Sequence, residues 1–214
     1  MAIAFYKTGD TVPNFKNWVE ETEPYKTTPL AKRPQVMETE LTKLQKAYQA
    51  FSPTKDYLLL RTYVSLKPKM VEPVPSEDLS QENMEPSYSM DITFSNAPEA
   101  LYFPYDFIGQ RIAVMPYELD SFMSQDLSKE EHDFIQSKLT GQNLMVVRLK
   151  CRESDLSLPH KIDGIHQWVF KTEIASMEIW NNKGLLLWEY TAPWYITPTV
   201  LELKDLYEVG RGQN

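Results

Sequence analysis

Three separate stretches of the chain alternate apolar and polar residues at a period of two, and this repetition constrains the fold more than any other feature. Leu58, Leu60, Thr62, Val64 and Leu66 alternate with Tyr57, Arg61, Tyr63, Ser65 and Lys67; Tyr88, Met90, Ile92 and Phe94 alternate with Ser89, Asp91, Thr93 and Ser95. Met145, Val147, Leu149 and Cys151 then alternate with Val146, Arg148, Lys150 and Arg152. Successive side chains of a strand point to opposite faces, so each run predicts a strand with one buried side. Too little helix separates the strands for right-handed crossovers, which favours antiparallel pairing. The expectation is an α+β fold: a mostly antiparallel twisted sheet of about six to eight strands, with about two or three short helices packed on it.

A different period marks the helices. Met37, Leu41, Leu44, Tyr48 and Phe51 recur at steps of four and three, and Ser52-Pro53 stops the run. This stripe is expected to pack over one face of the sheet and to cover the aromatic-rich hairpin near the C-terminus. Val12, Phe15, Trp18 and Val19 predict a shorter helix ended by Pro24, and residues 24 to 34, with three prolines, read as a stiff extended connector. Ser128-Lys-Glu-Glu131 has the spacing of a capping box; Phe134, Ile135 and Leu139 follow as the buried side of a third helix, and Gly141 as its terminator. Residues 102 to 115 read as one bent or interrupted strand, with a short helical turn after Pro116.

These elements divide the chain into an N-terminal helix and Pro-rich connector, 1 to 35, and a single α+β domain, 36 to 209. Within the domain, residues 68 to 87 hold four prolines and five acids without periodicity, an acidic insertion that cannot bury enough apolar surface to order itself. At 214 residues, 42% of them hydrophobic, the chain needs no disulfide or metal to fold. The lone Cys151 excludes an internal disulfide and, by its phase in the strand, points to the core.

Four of the five tryptophans, Trp168, Trp180, Trp188 and Trp194, fall within 27 residues. The apolar phase in 168 to 180 breaks between Ile174 and Met177, which a bulge near Ala175 reconciles. After the turn at Asn181 to Gly184, Leu185, Leu186, Leu187 and Trp188 leave neither face polar, as in a strand covered on both sides. A two-residue loop would pair Trp180 with Leu185; a left-handed Gly184 after a type I turn would align Trp180, Leu186 and Trp188, and the position of the glycine favours the second. Core is the preferred reading of the four rings, with a stacking or docking surface as the alternative. Arg148, Lys150 and Arg152 form a basic stripe for which Glu173 and Glu178, on the following strand, are the expected partners.

The chemistry-bearing residues form no recognisable motif. There is no G-x-S-x-G, phosphate-binding loop or dinucleotide fingerprint, and only 7 glycines. His160, Asp163 and His166 are the types that hold zinc or iron, yet their spacing matches no metal pattern and Asp163-Gly164 is a turn signal. No cofactor is expected. A formal charge of −8 argues against nucleic acid as a partner, and no apolar run reaches the roughly 20 residues of a membrane span. The sequence as it stands reads as a soluble, cytoplasmic chain, or as an exported one lacking its signal. The expectation is a non-catalytic interaction or structural protein, a subunit or accessory of a larger assembly whose partners are other protein subunits or further copies of itself. A domain binding a small ligand or carbohydrate through the aromatics of 168 to 194 is the alternative, and an enzyme ranks below both.

Overall fold

The computed structural model describes residues 1–72, 85–94 and 102–196. Eight strands form one sheet: β1 (Tyr57–Val71), β2 (Ser87–Phe94), β3 (Phe103–Phe107), β4 (Gln110–Pro116), β5 (Ser124–Leu127), β6 (Asn143–Ile162), β7 (Ile165–Trp180) and β8 (Leu186–Thr191). The order is β3-β4-β7-β6-β1-β2-β5, with β8 paired to β7 beyond the end of β4. All pairs are antiparallel except β4 with β7. Helices α1 (Ala2–Thr8), α2 (Phe15–Glu20), α3 (Glu23–Thr27), α4 (Arg33–Ala50) and α5 (Lys129–Lys138) complete an α+β arrangement. Among the described residues no helix is long and apolar enough to cross a membrane.

The three alternating runs build the core as their phases require. Leu58 pairs with Leu149, Leu60 with Val147 and Leu66 with Ile92. Val64, Met90, Ile92, Met145, Val147 and Leu149 are almost fully buried, Cys151 sits among them, and Leu60 and Phe94 pack at their margin. We call this side of the sheet the inner face. Ala175 is the extra residue of a bulge, since Leu149 faces Ile174 while Arg148 faces Ser176; the phase break therefore falls where alternation placed it.

What covers the inner face differs from the expectation. Helix α4 does not lie on it. Its stripe Leu41, Leu44 and Tyr48 closes a separate cluster with Ala2, Phe15 and Trp18, beside Phe107 and Ile108 of the β3–β4 hairpin. The inner face is filled instead by α1, whose Phe5 is fully buried with its ring edge-on to Phe170, 5.6 Å between centroids. Leu119 and Ile135, the latter from α5, join the same core. Ala4 is buried in the main core, and a Cβ at Gly9 would meet Leu156 Cδ1 at 2.3 Å, so a side chain there requires Leu156 to shift. Ala4 and Phe5 lie inside the main core.

Four local readings are also corrected. Residues 24 to 34 are not extended: they contain α3, a 3-10 turn at Leu30–Lys32 and the start of α4, with Pro24 and Pro34 in first-turn positions where a missing N–H is harmless. Strand β1 continues through Pro68 to Val71, taking four residues from the acidic insertion; residues 73–84 of that insertion lie outside the described residues. Residues 102 to 115 form two strands joined at Ile108 and Gly109, both with positive φ. The capping box at Ser128 forms in full, but α5 ends at Lys138, before Gly141.

Candidate functional site

The outer face of the sheet carries the odd residues of β1 and the even residues of β6. The basic stripe meets acids as expected. Arg148 Nη1 donates to Glu178 Oε1 at 2.7 Å and to Ser176 Oγ at 3.2 Å, and Arg152 bonds Glu173. Lys150 departs from this pattern: it donates to the Thr54 carbonyl and lies over the Tyr57 ring, 4.8 Å from the centroid, and burial lowers its pKa. A lysine that trades water for a ring face and a carbonyl is held as part of the surface.

One half of this face is covered by the chain itself. After β8, Ala192 N–H donates to the Ala175 carbonyl, and Ala175, Ala192 and Tyr195 form a small buried cluster with Tyr57. The rings of Tyr195 and Tyr57 meet edge-on, 5.0 Å apart, while Arg152 sits 5.8 Å above Trp194. Residues 192 to 196 are thus an aromatic segment laid across basic strands.

Among the described residues nothing covers the other half. A groove of about 840 Å³ runs between Leu59, Tyr63, Leu144, Val146 and Trp180, with the Arg148–Glu178 pair in its floor and Asn181 and Asn182 at its end. Leu59 is 49% and Tyr63 56% exposed, so an apolar and aromatic surface faces solvent beside a half-buried ion pair. Trp180 is aimed by its own hydrogen bond, Nε1 donating to Glu178 Oε2 at 3.1 Å. A second groove, of about 800 Å³, opens between the first half of β1 and β3.

The four tryptophans singled out in the sequence do not share a surface. Trp168 and Trp188 pack against the inner core, whereas Trp180 and Trp194 belong to the outer face. The hairpin explains the split. Gly184 adopts φ 76° after a turn closed by its N–H to the Asn181 carbonyl, as its position suggested. Trp180 does pair with Leu186, but a second irregularity at Leu187 makes Ile179, not Trp180, face Trp188. The expected line-up of Trp180, Leu186 and Trp188 is thereby broken. Leu59, Arg61 and Tyr63, the missed residues of the open groove, carried their signal in the strand alternation: they fill the phase opposite the core, and two of them are large apolar or aromatic side chains where a solvated face favours polar ones.

His160, Asp163 and His166 are not brought together as ligands. Asp163 and Gly164 make the two-residue turn between β6 and β7, both with positive φ. His160 Nε2 lies 2.6 Å from Asp155 Oδ2, inside a bulge that Asp155 organises by also accepting from the Ser157 N–H and hydroxyl. Those bonds, the Ser157 hydroxyl first and His160 next, hold the Asp155 carboxyl far below the usual carboxylate range. Among the described residues no group of three His, Cys, Asp or Glu side chains is placed to hold a metal ion.

Cys151 is buried and its thiol is pushed up by that burial, the state of a core residue rather than an activated nucleophile. No protein-family model matches the chain, no curated protein matches it in sequence, and no solved structure matches it.

Proposed function

We propose that the protein acts by contact, as a non-catalytic subunit or accessory of an assembly, and that the open half of the outer face is its docking surface. The observation that carries this reading is the exposure of Leu59 and Tyr63 beside Leu144, Val146 and Trp180 on a three-strand floor. Apolar side chains scattered singly on a surface need no explanation, but a contiguous set around an oriented indole does. Interfaces favour Trp and Arg among their anchors, and Trp180 and Arg148, both held by Glu178, supply them.

The test compares unmodified protein with Leu59→Asp and, as a control on the helical side, Val12→Asp, since Val12 is 70% exposed. Each is expressed in its source cell and sized by gel filtration of the lysate. The unmodified and Val12→Asp chains are expected to migrate in a larger complex and Leu59→Asp as the free chain. Equal migration of all three at the mass of the free chain rejects the reading.

A binder of small ligands or carbohydrate is the second reading, favoured by one observation: the groove volume of about 840 Å³ falls in the range typical of ligand sites, with Trp180 as its stacking ring. Titration with simple sugars, followed by Trp180 fluorescence against a Trp180→Phe control, separates it from the first.

A further inference from the structure

We infer that a water molecule is bound in the core between the end of α1 and the β6–β7 pair, held by the hydroxyls of Thr8, Ser154 and Thr172, and that it ties α1 to the inner face. This site lies on the side of the sheet opposite the docking surface proposed above and does not rest on it.

Three elements bring the hydroxyls to one place. Across β6 and β7, Cys151 pairs with Thr172 and Ser154 with Phe170, so Ser154 and Thr172 are neighbours on the inner face. Thr172 is fully buried there. Helix α1 ends over them: a Cβ on Gly9 would lie 3.3 Å from Ser154 Cβ. Burial raises the Cys151 thiol, and the hydroxyl of Thr8, the residue before Gly9, lies close enough to offset part of that rise. Between Cys151 and Glu153 the register slips by one residue, so Arg152 is the extra residue of a bulge and the ladder is interrupted beside the three hydroxyls.

All three oxygens are buried, and none has a hydrogen-bond partner among the described residues. A threonine in a helix can return its hydroxyl to the carbonyl four residues back, as Thr27, Thr39 and Thr42 do. Thr8 does not, and its interaction with Cys151 favours only the ionised sulfur, whereas burial keeps the thiol protonated. A buried hydroxyl that bonds nothing costs free energy that an apolar side chain of the same shape avoids, so valine at 172 or alanine at 154 would then be the better residue. Buried polar groups are satisfied by protein or by ordered water, and an internal water makes about three hydrogen bonds. Water both donates and accepts, as each hydroxyl does, so a single molecule satisfies all three oxygens. Because these come from α1, β6 and β7, the water joins the helix that covers the inner face to two neighbouring strands.

The experiment uses the full chain and the variants Thr8→Val, Ser154→Ala, Thr172→Val and their pairs. Oxygen-17 relaxation dispersion of the solvent counts long-lived internal waters, and urea unfolding gives the midpoint of each protein. Each single substitution is expected to remove one long-lived water and to lower the midpoint, since the remaining hydroxyls lose their shared partner. In any pair the second substitution is expected to lower the midpoint by less than it does alone. Thr172→Ser, which keeps the oxygen and loses the methyl, is expected to retain the water. A count of long-lived waters that none of the three single substitutions changes overturns the inference. So does a raised midpoint in Thr172→Val, the mark of a hydroxyl that bonds nothing. Losses that add fully in every pair also overturn it, because the oxygens then act separately, and loss of the water in Thr172→Ser overturns the role of the hydroxyl.

Discussion

Arg148 and Glu178 face each other across β6 and β7 with 2.7 Å between guanidinium and carboxylate, and the glutamate's other oxygen accepts from the Trp180 indole. One acid thus orders both the cation and the ring in the floor of the groove. Because the pair is only partly buried, its coupling is expected to be modest, about 1 kcal/mol in a double-mutant cycle and smaller at high salt. Glu178→Ala should cost more than that coupling, about 1 to 2 kcal/mol, since it leaves a half-buried guanidinium and an indole N–H without their acceptor. Urea denaturation of Glu178→Ala, Arg148→Ala and the double variant measures both quantities.

Phe5 is expected to matter more than any residue of the long helix α4. It is fully buried against Phe170, so Phe5→Ala should cost about 3 to 5 kcal/mol. Leu44, half-buried in the smaller cluster, should cost about 1 to 2 kcal/mol when truncated to alanine. Equal losses in thermal melts would mean that α1 is not the cover of the inner face.

That ranking could not be read from the sequence. The strands could, because burying one face of a strand writes an alternation into it, and Val64, Met90, Ile92, Met145, Val147 and Leu149 all lie where their phase placed them. The helix α4 was equally plain as a helix, but a stripe states only that something covers it, not what. Helix α1 has seven residues and no side-chain cap, too little to signal itself, and its place is decided by contacts with strands more than a hundred residues away. In the hairpin, Gly184 was legible because a left-handed position favours glycine; the irregularity at Leu187 was not, since four consecutive apolar residues leave both faces alike. The open groove follows from that same ambiguity: it depends on which side Trp180 takes.

Cys151 should resist thiol reagents in the folded protein and react once it unfolds, because it is buried and its thiol is raised above its ordinary value by that burial. The sign for stability follows. A raised acid group holds its proton longer in the folded chain than in the unfolded one, so its contribution is whole below the ordinary thiol value and is lost as pH rises through the folded value. Maleimide labelling followed by mass spectrometry, with and without urea, checks the first statement; melts from pH 7 upward on Cys151→Ala and unmodified protein check the second.

Asp155 should stay ionised well into acid, since the bonds from Ser157 and His160 are made to its charged form. Its contribution is present above the ordinary carboxylate value and lost as pH falls through the depressed one. Carbon-detected NMR of the Asp155 carboxyl is expected to show no midpoint near pH 4, and Ser157→Ala should move the midpoint up toward it.

The capping box of α5 offers a local check on helix stability. Ser128 Oγ accepts from the Glu131 N–H while Glu131 accepts from the Ser128 N–H, and those bonds lower the Glu131 carboxyl. Ser128→Ala should cost about 1 kcal/mol, with faster amide exchange confined to the first turn of α5.

Docking at the outer face requires that the open half be occupied in the cell. A photoreactive phenylalanine analogue placed at residue 59 and, separately, at residue 12 puts the same probe on the groove and on the helical side. Irradiation of intact source cells followed by mass spectrometry is expected to give one discrete protein adduct from residue 59 and none from residue 12. Diffuse or absent adducts at residue 59, or the same adducts from both positions, would contradict it.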